Sequence, residues 1–252
     1  MIQNLIVLLL CISYSFLLGC RNENTLPASD LTVAAAANLV KVSQPLAESF
    51  QRLNKTKMIF SFGSSGQLEQ QIRQGAPFDV YLPADLSYCQ SLSQDGFTAE
   101  EPKVYALGQL VVWSHTLQLS SLEELQQEGV SRIAIANPSY APYGLAARQA
   151  LQSAGLWEKV QPKLVFAESV SYAFQMAETG NVEVAFVALA LVKDIERPFL
   201  VVDSRFYEPI EQCAVALKAT KNLEAARAFL EFLSSTEAQR ILQDYGYGSP
   251  QK

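Results

Sequence analysis

The chain contains a single histidine, His115, and no Cys-x-x-Cys pair. A metal centre built from imidazole or thiolate clusters therefore lacks its ligands. Histidine is also the commonest general base, and His115 ends an apolar segment among polar neighbours, the setting of a surface residue. Gly63-Ser64-Ser65-Gly66 superficially resembles a nucleophile elbow, but its spacing is not Gly-x-Ser-x-Gly. Asp79 and Asp85 are the acids that suggest a metal. Asp79 falls inside a strand pattern and Asp85 suits a helix N-cap. No catalytic residue, cofactor or resident metal is expected, and a secreted α/β hydrolase is kept only as the alternative from another class.

Positive charge is also scarce. Lys and Arg number 19 against 25 Asp and Glu, for a formal net charge of −6. That balance disfavours nucleic acid and offers no attraction to an anionic membrane surface. Met1 to Asn4 lack the usual basic start of an export signal, yet residues 2–18 are uncharged and mostly apolar and lead into Leu17-Leu18-Gly19-Cys20. Such a run reads as a signal peptide rather than a membrane span. Its end looks like a lipobox, with cleavage after residue 19 and acylation of Cys20. An uncleaved anchor helix is the alternative. Both place the remainder outside the cytoplasm, in a periplasmic or extracytoplasmic setting, tethered to the membrane. Of the four cysteines, Cys11 leaves with the signal, and Cys89 and Cys213 remain. An oxidising compartment permits a bridge, but sequence separation says nothing about proximity. Two separate buried thiols are the expectation.

What is present is alternation. After the signal (1–19) and a lipidated, polar, Pro-containing tether (20–30), apolar strands alternate with amphipathic helices. This predicts an α/β fold with mainly parallel sheets. Hydrophobic residues make up 49% of the chain, enough with this periodicity for a folded protein. Strands are predicted at 31–36, 57–62, 78–82, 104–113, 133–136, 164–166, 182–189, 199–202 and 212–217. Leu39, Val42, Leu46, Phe50 and Leu53 recur at helical spacing after Asn38. Gly75 suits the C′ position of the next helix, and Ser121-x-x-Glu124 resembles a capping box. Helices at 222–233 and 236–244 end the chain. The segments at 104–113 and 212–217 bracket a second set of units. The chain is therefore expected to cross out and back, with lobe I at 31–108 and 212–252 and lobe II at 109–211.

Four strand-to-helix loops stand out: Ala34 to Leu39, Ser61 to Gly66, Pro142-Tyr143-Gly144, and Glu168 to Ser171. Backbone N–H groups in the first turn of a helix have no internal acceptor, and the helix dipole favours an anion there. Asn38 and Ser65 suit N-cap positions and add side-chain donors. None of these loops contains Lys or Arg, so an anion would be held by dipoles and hydrogen bonds. Any single loop of this kind is also what an ordinary helix cap looks like, and the pattern carries weight only in combination.

In combination the loops carry a resemblance. TVAAAANL (32–39) and FSFGSSGQLEQQIRQGAPFDVYLPAD (60–85) are similar to the periplasmic molybdate-binding proteins of ABC importers. NPSYAPYGLAARQAL (137–151), AESVSYAFQMAETGNVEVAFV (167–187) and FLEFLSSTEAQRILQDYGYG (229–248) fit the same family in the same order. The resemblance implies a two-lobed fold with two crossing strands as the hinge. It implies a dehydrated tetrahedral oxyanion, molybdate or tungstate, held mostly by loop N–H groups and hydroxyls. Carried over residue by residue, the binding positions fall on Asn38, Ser65, Tyr143 and Val170. Ala37 could add only its N–H. Where many relatives carry a Tyr at a strand end, this chain has Ala188, and the Tyr143 hydroxyl is the candidate replacement. The implied partners are a permease with its ATPase subunit, and the protein is expected to be a monomer. A site made only of donors would leave unmade bonds around smaller sulfate and no acceptor for the proton of phosphate. Glu168 is the acid closest in sequence that could supply one. Another oxyanion, such as sulfate, or an organic anion remains the alternative ligand.

Overall fold

The computed structural model describes residues 30–250; the expected signal, Cys20 and nearly all of the tether lie outside the described residues. Ten strands are described: β1 (Leu31–Ala36), β2 (Met58–Gly63), β3 (Val80–Leu82), β4 (Lys103–Gly108), β5 (Leu110–Trp113), β6 (Ile133–Ala136), β7 (Leu164–Ala167), β8 (Val184–Ala188), β9 (Phe199–Val201) and β10 (Ile210–Ala216). They form two five-stranded sheets, ordered β2-β1-β3-β10-β4 and β7-β6-β8-β5-β9. In each sheet three neighbouring strands run parallel, and the remaining pairings, through β10 or β5, are antiparallel. Central strands such as β1 (LTVAAA) and β8 (VAFVA) are almost wholly buried. A parallel strand covered on both faces needs this unbroken apolar character rather than alternation.

The seven longer helices are α1 (Val40–Asn54), α2 (Ser65–Arg73), α3 (Leu86–Gln94), α4 (Pro142–Ser153), α5 (Val170–Glu178), α6 (Leu223–Leu233) and α7 (Thr236–Asp244). α1 buries Val42, Leu46 and Phe50, as its spacing predicts. Phe50 meets Phe229 of α6 edge-on at 5.2 Å, and burial of such a ring stabilises by about 2–3 kcal/mol. The last two helices therefore pack on the core of the first sheet, with Leu230, Leu233, Ala238 and Leu242 against it, although they follow the second sheet in sequence. Among the described residues no helix is long and apolar enough to cross a membrane.

Local signals held where the partner was local. Gly75 sits just past the end of α2 with φ of 87°, a left-handed conformation that favours glycine. The Asp85 carboxylate accepts from the Ser87 N–H at 2.7 Å and caps α3. The capping box differs. Residues 122–126 form a 3-10 turn, and Glu124 accepts from the N–H of Ser120 at 3.3 Å while Ser121 makes no capping bond.

Two larger expectations are corrected. The apolar stretch 104–113 is not one strand. It divides at Gln109 into β4 and β5, which belong to different sheets, so the chain passes between lobes in a single residue. And Cys89 and Cys213 are not separate thiols. They form a disulfide joining α3 to β10, with Cα atoms 6.6 Å apart. Both are fully buried beside Tyr81 and Leu92. Asp79 also sits just outside its strand, since β3 begins at Val80. Its carboxylate accepts from the Thr32 N–H at 2.8 Å, the Thr32 hydroxyl at 2.7 Å and the Thr220 hydroxyl at 2.5 Å. Asp79 is a clamp between chain segments, not a metal ligand.

Candidate functional site

The strand-to-helix loops of both sheets face one another across a cleft, and the four singled out in the sequence converge there. One small cavity is lined by Ala36, Ala37, Asn38, Gly63, Ser64, Ser65 and Ala84 from the first lobe. Ala141, Pro142, Tyr143 and Val170 line it from the second. About 10 Å³ is open to the centre of a water molecule, so the space suits one compact group. No residue of this lining is charged. A wider groove of about 470 Å³ lies at the crossing strands, lined by Gly108, Gln109, Lys193, Tyr207 and Tyr247 among others. It is far roomier, but the helix starts converge on the small cavity.

Ser65 and Val170 are the first residues of α2 and α5, and Tyr143 is the second residue of α4. Their N–H groups lie where a helix offers no internal acceptor. Pro142 begins α4, where its missing N–H costs nothing. The Ser65 hydroxyl is fully buried and accepts from the Ala84 N–H at 3.1 Å. That bond occupies a lone pair and leaves the hydroxyl proton free to donate. The Ser65 carbonyl accepts from the buried Tyr81 hydroxyl at 2.7 Å, which fixes this peptide. Ser169 caps α5 by accepting from the Tyr172 N–H at 3.2 Å.

The N-cap roles expected for Asn38 and Ser65 are not found. Ser64 precedes α2 as its cap residue, and its hydroxyl donates to Gln67 Oε1 at 2.8 Å. Asn38 lies within a 3-10 turn, Ala37–Leu39. Its side-chain amide donates to Gln212 Oε1 at 2.7 Å and to the Tyr247 hydroxyl at 2.9 Å, and Tyr247 donates back to the Asn38 carbonyl at 3.0 Å. Its Oδ1 is buried without a protein partner.

Tyr143 is buried, with its hydroxyl close against Gly108 of the crossing strand and near the Gln212 amide. A Cβ at Gly108 would lie 2.3 Å from that oxygen. Burial, with Tyr247, Tyr207 and Tyr105 nearby, holds the phenol well above its ordinary pKa, so it is a neutral group. Ala188 does not line the cavity. It ends β8, paired with Leu110 beside the crossing. Glu168 is exposed and His115 is exposed, neither on the lining. Sequence reasoning missed Gln212, Tyr247 and the contact between the Gly66 N–H and the Tyr140 carbonyl, 2.9 Å apart across the cleft. None has a local signal, because each partner lies far away in the chain.

Two lobes of this topology, closed over a small uncharged cavity lined by helix starts, define a periplasmic-type binding protein. The chain belongs to the bacterial extracellular solute-binding protein family, which it matches over residues 31–248. It is a solute-binding protein of transport, not an enzyme. It is 37% identical to the molybdate-binding protein ModA of Rhodobacter capsulatus over 223 residues, covering 87% of this chain and 88% of that protein. It is 37% identical to the Azotobacter vinelandii ModA over 239 residues, covering 92% and 93%. The structure of the Azotobacter vinelandii periplasmic molybdate-binding protein superposes with a TM-score of 0.84 at 34% identity, covering 88% of this chain and 100% of that one. The sulfate-binding protein SubI of Mycobacterium tuberculosis shares the fold at 15% identity, with a TM-score of 0.69.

Proposed function

We propose that this protein captures molybdate or tungstate in the small cavity and hands it to an ABC permease driven by its ATPase subunit. The observation that carries the reading is the cavity itself, lined by both lobes, free of charged side chains and met by helix starts. A bare oxyanion needs several donors and no counter-cation in such a place. The proposed donors are the N–H groups of Ala37, Asn38, Ser65, Tyr143 and Val170 and the hydroxyl of Ser65. Ala188 has no part in it. The similarity to the two ModA proteins supports the choice of molybdate.

The division into lobe I (31–108 and 212–252) and lobe II (109–211) belongs to this reading and is supported by the sheet membership of the strands. So do the monomeric state and the lipid anchor on Cys20, which rest on the sequence. Asn38 Oδ1, buried without a partner, favours a second reading: a singly protonated oxyanion such as hydrogen phosphate would find there an acceptor for its proton.

A thermal melt of residues 21–252 with 1 mM molybdate, tungstate, sulfate or phosphate separates these readings. A micromolar ligand at that concentration stabilises by about 4 kcal/mol, on the order of 10 °C for a unit of this size. Shifts with molybdate and tungstate alone support the first reading. A shift with phosphate supports the second, and no shift with any oxyanion overturns both.

A further inference from the structure

We propose that the Ser65–Gly66 peptide is the closure latch of this protein, and that residue 66 is glycine because any side chain there would hold the lobes apart. The inference rests on the oxyanion reading only for the ligand used to test it. The Gly66 N–H donates to the Tyr140 carbonyl at 2.9 Å, from the first turn of α2 to the loop before α4. The two residues belong to units built on different sheets, so this bond exists only when the cleft is shut. A Cβ on Gly66 would lie 2.8 Å from Tyr140 Cβ and 3.2 Å from Tyr140 Cα and O.

Neither side of this contact can yield cheaply. The Ser65 carbonyl, the other end of the same peptide, is held by the Tyr81 hydroxyl at 2.7 Å. Tyr140 ends a tight turn in which Ser139 N–H donates to Asn137 Oδ1 at 3.0 Å and Ala141 N–H to the Asn137 carbonyl at 3.0 Å. With backbone fixed on both faces, an added methyl is accommodated only by opening the cleft. Lys41 and Asp194 also bridge the units, at 2.5 Å, but their side chains are 27% and 61% exposed, and such pairs contribute little in salt. The latch adjoins Ser65, a residue of the cavity lining, so a group held by Ser65 and the bond that shuts the cleft share one rigid peptide.

The open lobe has no reason to resent the methyl. Gly66 is not among the glycines with positive φ, and alanine is a better helix former. Gly66→Ala in residues 21–252 is compared with the parent and with Gly129→Ala, where a Cβ meets nothing within 4 Å. Three readouts are taken: the melting temperature without ligand, molybdate affinity by calorimetry, and the inter-lobe distance distribution from spin labels on Glu48 and Glu158, with and without molybdate. The expected result for Gly66→Ala is an unchanged or higher melting temperature, an affinity at least tenfold weaker, and loss of the short-distance population, with Gly129→Ala like the parent. Binding and short distances equal to the parent's would overturn the latch, as would a parent that never populates the short distance. If the parent closes but binds no oxyanion, the ligand reading fails, and the loss or retention of the short distance in Gly66→Ala still decides the latch.

Discussion

Asn38 donates its side-chain amide to Gln212 Oε1 at 2.7 Å, joining the loop after β1 to the returning strand across 174 positions of sequence. With Tyr247 taking the second amide proton, this side chain belongs to the frame of the first lobe. Its Oδ1 is left buried without a protein partner. Gln212→Leu removes the acceptor and leaves a buried N–H unpaired, which costs about 1–3 kcal/mol. The melting temperature is expected to fall and molybdate affinity to weaken together, as measured by a melt and calorimetry on one preparation. Asn38→Ala should behave likewise. An Asn38→Ala protein of parental stability that had lost binding would show instead that the amide touches the ligand.

Ser65→Ala tests the proposed hydroxyl donor. The hydroxyl accepts one neutral N–H from Ala84 and, as proposed, donates to the anion. A bond to a charged group contributes about 1.5–3 kcal/mol, so affinity should fall roughly 10- to 100-fold, while the buried Ala84 N–H left unpaired should also lower the unliganded melt. Unchanged affinity in calorimetry would remove Ser65 from the proposed site.

The disulfide should be a large contributor to stability. Its cysteines are separated by 124 positions, and loss of a native bridge costs about 2–5 kcal/mol. The Cys89→Ala, Cys213→Ala double variant is expected to melt on the order of 10 °C lower. Reduction of the parent in mild denaturant should reproduce that loss, and the double variant should not respond to reductant.

Glu183 is a source of acid sensitivity in the second lobe. Burial alone would raise the Glu183 carboxyl, but the N–H groups of Arg132 and Ser131 and the Ser131 hydroxyl bring it down from 4.5 to about 2. A carboxylate depressed by folding stabilises fully above its unfolded value and loses that contribution as pH falls through the folded one. Glu183→Gln should therefore be less stable than the parent at pH 7. The gap should close between about pH 4.5 and 2 in urea titrations across that range.

Asp79 predicts a purely architectural phenotype. Its carboxylate is buried and accepts from Thr32 and Thr220. Asp79→Ala strands those donors and should cost about 3 kcal/mol or more. Molybdate affinity of the folded fraction is expected to stay within twofold, since Asp79 is not on the cavity lining.

The periodic elements were legible because their cause is local. The spacing from Val42 to Phe50 and the glycine at 75 state their roles within a few residues. The loops of the site were legible for the same reason, since a helix start is written in its own sequence. What the sequence hid is pairing at a distance. Nothing near Cys89 announces Cys213, and nothing near Asn38 announces Gln212, so a thiol and an N-cap were the natural local expectations. The division of 104–113 at Gln109 was hidden differently. Both halves are apolar because both enter buried sheets, and composition cannot mark a change of sheet.

The bond between Cys89 and Cys213 has a topological meaning as well as an energetic one. The residues it encloses include every strand of the second sheet. A protease that nicks any peptide bond between them leaves one covalent molecule, with the severed lobe still attached at both roots. Cys89 is synthesised long before its partner, so this ring can be sealed only after the entire second sheet has been made.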